Sequence, residues 1–189
     1  MHNGPPHDSN FGYAYAKRMS DIQISAYNQQ FGTKFFSVIP TNVYGPNDNF
    51  HLENGHVIPS LIHRCYLAKL NNTNLDIWGS GKPLREFIFS RDVADLCSKL
   101  LLCYNDTTPV ILSTSEEISI HDLVMLICDK MKFKGSIRFD STKPDGQYKK
   151  SSTNKKLLSI INDYKFTPID QGIEESIEFF CQNYNTVRK

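Results

Sequence analysis

A chain of 189 residues, 40% hydrophobic and 22% charged, is long enough to bury a core and has ordinary globular composition. Its 21 lysines and arginines are balanced by 20 aspartates and glutamates, so there is no broad basic field and nucleic acid is not expected as a partner. No apolar run approaches the roughly eighteen residues of a membrane span, and the opening Met1–Pro6 is no signal peptide, so no membrane association is expected.

The five cysteines, Cys65, Cys97, Cys103, Cys128 and Cys181, show no C-x-x-C spacing. They are expected to be reduced and mostly buried, as in a cytoplasmic chain. The six histidines are dispersed, and no metal site is expected.

Met1 to Asn10 is turn-rich and reads as a loop. A helix is predicted from Gly12 to Gln30, with Gly32 as its stop. On it, Tyr13 and Lys17 stand four residues apart on one face. An ammonium close to a phenol stabilises the phenolate, which is what a tyrosine needs to pass a proton to or from a carbonyl or alcohol. The Y-x-x-x-K pattern is short, and an ordinary surface pair fits it equally well.

Lys34 to Ile39 is predicted as a strand ended by Pro40, and helix followed by strand is the rhythm of a parallel α/β sheet. The next stretch, Pro40 to Phe50, is predicted as a loop, placed where such sheets hold their ligands. Val57 to Lys69 reads as an amphipathic helix with His56 at its entrance. The positive helix end disfavours imidazolium, which suits a histidine base; a structural histidine is the alternative. Asn74–Trp78 and Glu86–Phe89 read as strands joined by a hairpin-like Gly79–Arg85. Trp78 and Arg85 could hold a base and a phosphate, or be a core tryptophan and a surface arginine.

Ser90 is predicted to cap a helix running to about Tyr104, with Asp92 in its first turn. A strand over Pro109–Ser113 follows, then a helix from Ser119 to about Lys132 and a strand over Ser136–Asp140. Lys143–Lys150 is a basic, turn-containing loop. The last helix is predicted to open at Thr167-Pro168-Ile169-Asp170, with threonine as cap, and its Ile173, Ile177, Phe180 and Tyr184 recur at core spacing. There are no repeats and no interdomain linker.

Four stretches, NGPPHDSNFGYAYAKRM, VIPTNVYGPNDNFHLENGHVIPSLIHR, WGSGKPLREFIFS and KPDGQYKK, resemble the GDP-L-fucose synthase family of the extended short-chain dehydrogenase/reductases. The resemblance runs from Asn3 to Lys189. It implies an α/β fold: the C-terminal part of an NAD(P)-binding Rossmann domain plus a smaller α/β substrate-binding domain. Residues 1–50 would be the Rossmann part, and residues 51–189 mainly the substrate domain, with some segments returning to the Rossmann sheet. The implied reaction is 3,5-epimerisation and NADPH-dependent 4-reduction of GDP-4-dehydro-6-deoxy-D-mannose to GDP-L-fucose. Two other readings are a different nucleotide-sugar epimerase or reductase of the superfamily, and a non-catalytic sugar-nucleotide-binding module.

By the resemblance, Tyr13 is the general acid at the C4 oxygen, and Lys17 holds the nicotinamide ribose. Pro40, Thr41, Asn42 and Val43 would contact the nicotinamide end of NADP(H). His56 matches the epimerase acid/base histidine and also falls among the cofactor contacts. Arg64, Trp78, Arg85, Asp145 and Lys150 match contacts to the GDP-sugar substrate, with Arg85 and Lys150 suited to the diphosphate. A cytoplasmic homodimer is implied. The family's glycine-rich turn, the serine of its Ser-Tyr-Lys set and the cysteine that partners its histidine are not matched. The chain is therefore expected to be a C-terminal portion that by itself binds NADPH weakly and does not reduce.

Overall fold

Phe11–Phe31 forms helix α1, which ends where Gly32 turns left-handed at φ 64° and returns its N–H to Asn28 O. The computed structural model describes residues 4–6 and 8–189; the first three residues of the predicted N-terminal loop, and His7, lie outside them. Asn28 also fixes the chain as it leaves the helix: its side chain accepts from Thr33 Oγ1 and Phe35 N–H and donates to Phe35 O.

Two three-residue strands come next, β1 (Val38–Pro40) and β2 (Asn42–Tyr44). The second lies within the predicted loop. They belong to different sheets: β1 runs parallel to β5 (Val110–Leu112), and β2 runs parallel to β4 (Leu84–Phe89). The chain changes sheet at Thr41, whose N–H donates to Leu112 O at 3.0 Å.

Helix α2 (Val57–Leu70) begins after His56 at its N-cap, as predicted. The next strand, β3 (Leu75–Trp78), does not form a hairpin with β4. It pairs in parallel with β7 (Ile137–Asp140) instead. Strand β4 pairs elsewhere, through Phe87–Phe89 with β2 and through Leu84–Glu86 with antiparallel β6 (Glu117–Ser119). Helix α3 (Ser90–Cys103) has Phe89 rather than Ser90 at its N-cap, a shift of one residue. Helix α4 (Ile120–Lys130) is capped by Ser119, which accepts from Asp122 N–H, as predicted. A six-residue helix, α5 (Lys155–Ile160), precedes α6 (Ile169–Gln182).

Thr167 does not cap α6. Its N–H and hydroxyl both donate to the buried Asp92 carboxylate, at 2.9 Å each, tying the first turn of α3 to the entrance of α6. A buried carboxylate needs such donors more than a solvent-facing helix end needs a cap.

Strand β4 divides two cores. Phe87 and Phe89 enter the one built with α2, β3, α4 and α6, where Ile173, Ile177 and Phe180 are buried at helical spacing. Ile88 points the other way, into a cluster with Leu96, Leu100, Val110, Leu112 and Leu157. Of the cysteines, Cys65 and Cys128 are buried, with sulfurs 4.0 Å apart, but Cys103 and Cys181 are exposed. The expectation of mostly buried thiols therefore fails for these two. Cys103 is the last residue of α3, and Cys181 stands beside Phe180 on the face of α6 turned from the core.

His63 braces the segment ahead of α2. Its Nδ1 donates to Phe50 O at 2.8 Å, and its ring packs on Phe180 and Tyr184. Burial lowers its pKa below the ordinary 6.5, only partly opposed by the bond to Phe50. The folded chain thus holds this imidazole neutral at pH values where the unfolded chain protonates it. The resulting stability is present above about pH 6.5 and is lost as pH falls through the lowered folded value. Melting temperatures taken from about pH 7.5 down to about pH 5.5 should fall, and fall less steeply in His63→Asn, which keeps an N–H donor without the titration. Parallel slopes for the two proteins would exonerate His63.

Candidate functional site

Tyr13 and Lys17 share a face of α1, with Lys17 Nζ 5.5 Å from the centre of the tyrosine ring. The ring is 63% exposed. Neither group hydrogen-bonds or ion-pairs with another predicted site residue among the described residues.

At the change of sheet, the Asn42 side chain donates to Glu86 O at 2.7 Å, joining this turn to the strand that carries Arg85. The Thr41 hydroxyl is buried and has no partner among the described residues. An unpaired buried hydroxyl costs about 1–3 kcal/mol, so it marks a place where a polar ligand atom would be favoured.

His56 is delivered by a loop folded on itself. The Asn49 side chain accepts from His51 N–H and donates to Asn54 O, while His51 Nδ1 accepts from both Glu53 and Asn54 N–H. Gly55 donates to His51 O at 2.9 Å, and a Cβ there would lie 2.4 Å from that same oxygen, so only glycine fits. The His56 side chain is 81% exposed, and its Nδ1 lies 3.6 Å from Oδ1 of the largely covered Asp48. A carboxylate at that distance limits how the exposed ring turns.

The third group gathers around Trp78, which is 68% exposed and so is not a core tryptophan. The Arg64 guanidinium lies 5.6 Å from its ring centre and donates to Leu52 O at 2.7 Å. Lys143 Nζ lies 5.8 Å from the same ring. Asp145 accepts from the hydroxyl and the N–H of Ser80, at 2.6 Å each, and these bonds hold its carboxyl below the usual range. Arg85 donates to Leu84 O and reaches Tyr148 O at 3.5 Å. Lys150 is exposed, with no hydrogen bond or ion pair among the described residues.

Arg64 and Trp78 are thus in contact, and Asp145 and Arg85 both touch the 145–148 stretch or the Ser80 turn beside Trp78. Sequence reasoning passes over Asp48, Lys143 and Ser80. Lys143 carries a weak signal, as one more cation in a loop already read as basic. Asp48 and Ser80 carry none, because their partners come to them only through folding.

Three comparisons place the chain among known proteins. Residues 1–111 match the profile of the NAD dependent epimerase/dehydratase family. A GDP-L-fucose synthase of Dictyostelium discoideum is 56% identical over all of this chain, which covers 60% of that protein. A probable GDP-L-fucose synthase of Drosophila melanogaster is 41% identical over all of this chain, which covers 62% of it. The solved structure of a GDP-L-fucose synthetase from Naegleria fowleri bound to NADP matches with a TM-score of 0.96 at 45% identity, over all of this chain and 61% of that one. The chain spans about 60% of the length of these relatives.

Proposed function

Because the chain belongs to the NAD dependent epimerase/dehydratase family, we propose that the protein makes GDP-L-fucose from GDP-4-dehydro-6-deoxy-D-mannose, by 3,5-epimerisation and NADPH-dependent 4-reduction. Its fold is the matching α/β part of an extended short-chain dehydrogenase/reductase. The observation that carries the reading is a pair of separate proton-handling groups, Tyr13 with Lys17 on α1 and His56 with Asp48 ahead of α2. A reduction alone needs one such group; epimerisation before it needs a second.

The residues present fit the nicotinamide end of NADP(H): the unpaired Thr41 hydroxyl, the turn from Pro40 to Val43, and the exposed Lys17 ammonium. When bound, the cofactor supplies hydride to C4. Tyr13 gives its proton to the C4 oxygen, with the Lys17 ammonium 5.5 Å from the centre of its ring. His56 handles the proton on one face of the carbons flanking the ketone, C3 and C5; the proton on the opposite face falls to the cysteine that the resemblance pairs with this histidine, which these residues do not match. The Asp48 carboxylate limits how the His56 ring turns. Arg85 and Lys150 offer positive charge to the diphosphate, and Trp78, Arg64 and Asp145 orient the rest of the GDP-sugar. The 189 residues contain no glycine-rich pyrophosphate turn, so this assignment covers the nicotinamide end alone.

Residues 1–50 are assigned to the Rossmann domain, and residues 51–189 mainly to the substrate domain. The packing of Ile88, Leu96, Leu100, Val110 and Leu112 with Val38 and Val43 supports a return of β4, α3 and β5 to the Rossmann sheet. The exposed Phe11, Tyr15, Met19, Ile22, Tyr27 and Phe31 of α1 support burial of that helix in a homodimer of the whole protein. A cytoplasmic location is proposed with this chemistry; among the described residues no helix is long and apolar enough to cross a membrane.

The test is product analysis: the whole protein is given the keto sugar and NADPH. GDP-L-fucose should form with stoichiometric NADPH oxidation. A reduced sugar with unchanged stereochemistry at C3 and C5 would refute the epimerase half, and no oxidation despite bound NADPH would refute the reductase half.

A further inference from the structure

Glu86 and Glu117 face one another across the antiparallel pair β4–β6. Like charges placed so repel, and both are compensated by one short stretch of chain, 149–152. Glu86 is 3% exposed, and its carboxylate accepts from Ser152 N–H at 2.7 Å, Ser152 Oγ at 2.5 Å and Ser113 Oγ at 2.6 Å. Glu117 accepts from Lys149 Nζ at 2.7 Å and Ser151 Oγ at 3.0 Å.

The ties continue on either side. Leu84 N–H donates to Tyr148 O at 2.9 Å, and Asn154 bonds to Ser115 and Thr114. At the far end Asp145 is held by Ser80. The segment 145–154 is therefore a strap laid along β4 and β6, fixed on both sides of Lys150, while Lys150 itself is left unpaired among the described residues. Below it, Arg85 reaches toward Tyr148 O.

Stability alone does not call for a buried carboxylate here, since an apolar contact would hold a loop down at lower desolvation cost. What the carboxylate adds is direction, because two of its three donors, the N–H and the hydroxyl, come from Ser152, while Ser113 holds the carboxylate itself in place. We propose that Glu86 is a positioning residue for the substrate pocket, clamping the strap at Ser152 so that Lys150 is presented over the strand of Arg85 for the GDP diphosphate. The inference rests on the reading of Arg85 and Lys150 as diphosphate contacts.

The experiment measures affinity of the whole protein for GDP and, separately, for NADPH by calorimetry. Lys150→Ala should weaken GDP by about tenfold, the size of one charge-assisted hydrogen bond. Glu86→Gln, which keeps the side-chain volume but turns a donor toward the serines, should weaken GDP about fivefold and leave NADPH unchanged. In the Lys150→Ala background Glu86→Gln should add less than about twofold, because the clamp acts through that lysine. Should Glu86→Gln fail to fold, Ser152→Ala, which removes one donor from the clamp, should show the same pattern at about twofold.

If Lys150→Ala leaves GDP binding intact, the diphosphate reading falls, and the clamp with it. If Lys150→Ala weakens GDP but neither Glu86→Gln nor Ser152→Ala does, the clamp alone is overturned. Full additivity of Glu86→Gln with Lys150→Ala, or equal loss of GDP and NADPH affinity, would also overturn it.

Discussion

In the whole protein, Tyr13→Phe should lower reduction of the keto sugar by about a hundredfold or more, the usual size of a lost general acid. The ring, its place on α1 and the Lys17 ammonium above it are all kept, so GDP-sugar affinity should change little. Only the transferable proton is removed, which places the loss in kcat rather than in KM. Deuterium exchange at C3 and C5, assigned to His56, should persist. Reduction by the variant at near the parent rate would show that another group protonates the C4 oxygen.

In the whole protein, His56→Asn is expected to separate the two chemistries. Exchange of solvent deuterium into C3 and C5 should fall by at least about tenfold, while reduction at C4 continues, giving an unepimerised 6-deoxy sugar. Asparagine is the right replacement because His56 occupies the N-cap of α2, where asparagine is among the favoured residues; the helix that carries Arg64 keeps its start. Deuterium incorporation and product stereochemistry would be read on one sample. Unchanged exchange, or equal loss of both activities with the fold intact, would return His56 to a structural role.

Sequence reasoning succeeds where the cause is local. The end of α1 follows from Gly32, the start of α4 from Ser119 and Asp122, and the core stripe of α6 from its own period. It fails where the cause is distant or the element too short to show a period. β2 and β6 have three residues each and α5 six. A β3–β4 hairpin is the natural expectation because nothing within 74–89 records that β3 will pair with β7, and β4 with β2 and β6. Thr167 has the look of a cap because its bond to Asp92 spans much of the chain.

The site divides in the same way. Tyr13 and Lys17 are visible as a motif, and Trp78 and Arg85 as chemistry beside a turn. The Asp48–His56 pairing needs the loop around Gly55 to fold first, and the Ser80–Asp145 bonds join residues 65 positions apart.

Phe50, in the approach to His56, donates its N–H to Arg188 O at 2.8 Å, and the His63 that braces it packs on Phe180 and Tyr184. A ribosome adding about 5–20 residues per second releases these partners on the order of ten seconds after Phe50 itself. Over that interval the nascent chain can form α1, α2 and the internal bonds of the histidine loop, but it lacks the brace on Phe50 and His63. Tyr13 and its helix are thus made before the loop that carries His56 gains its brace. A chain cut before Phe180 would keep Tyr13 and Lys17 on α1 but leave Phe50 and His63, which steady the approach to His56, without their partners.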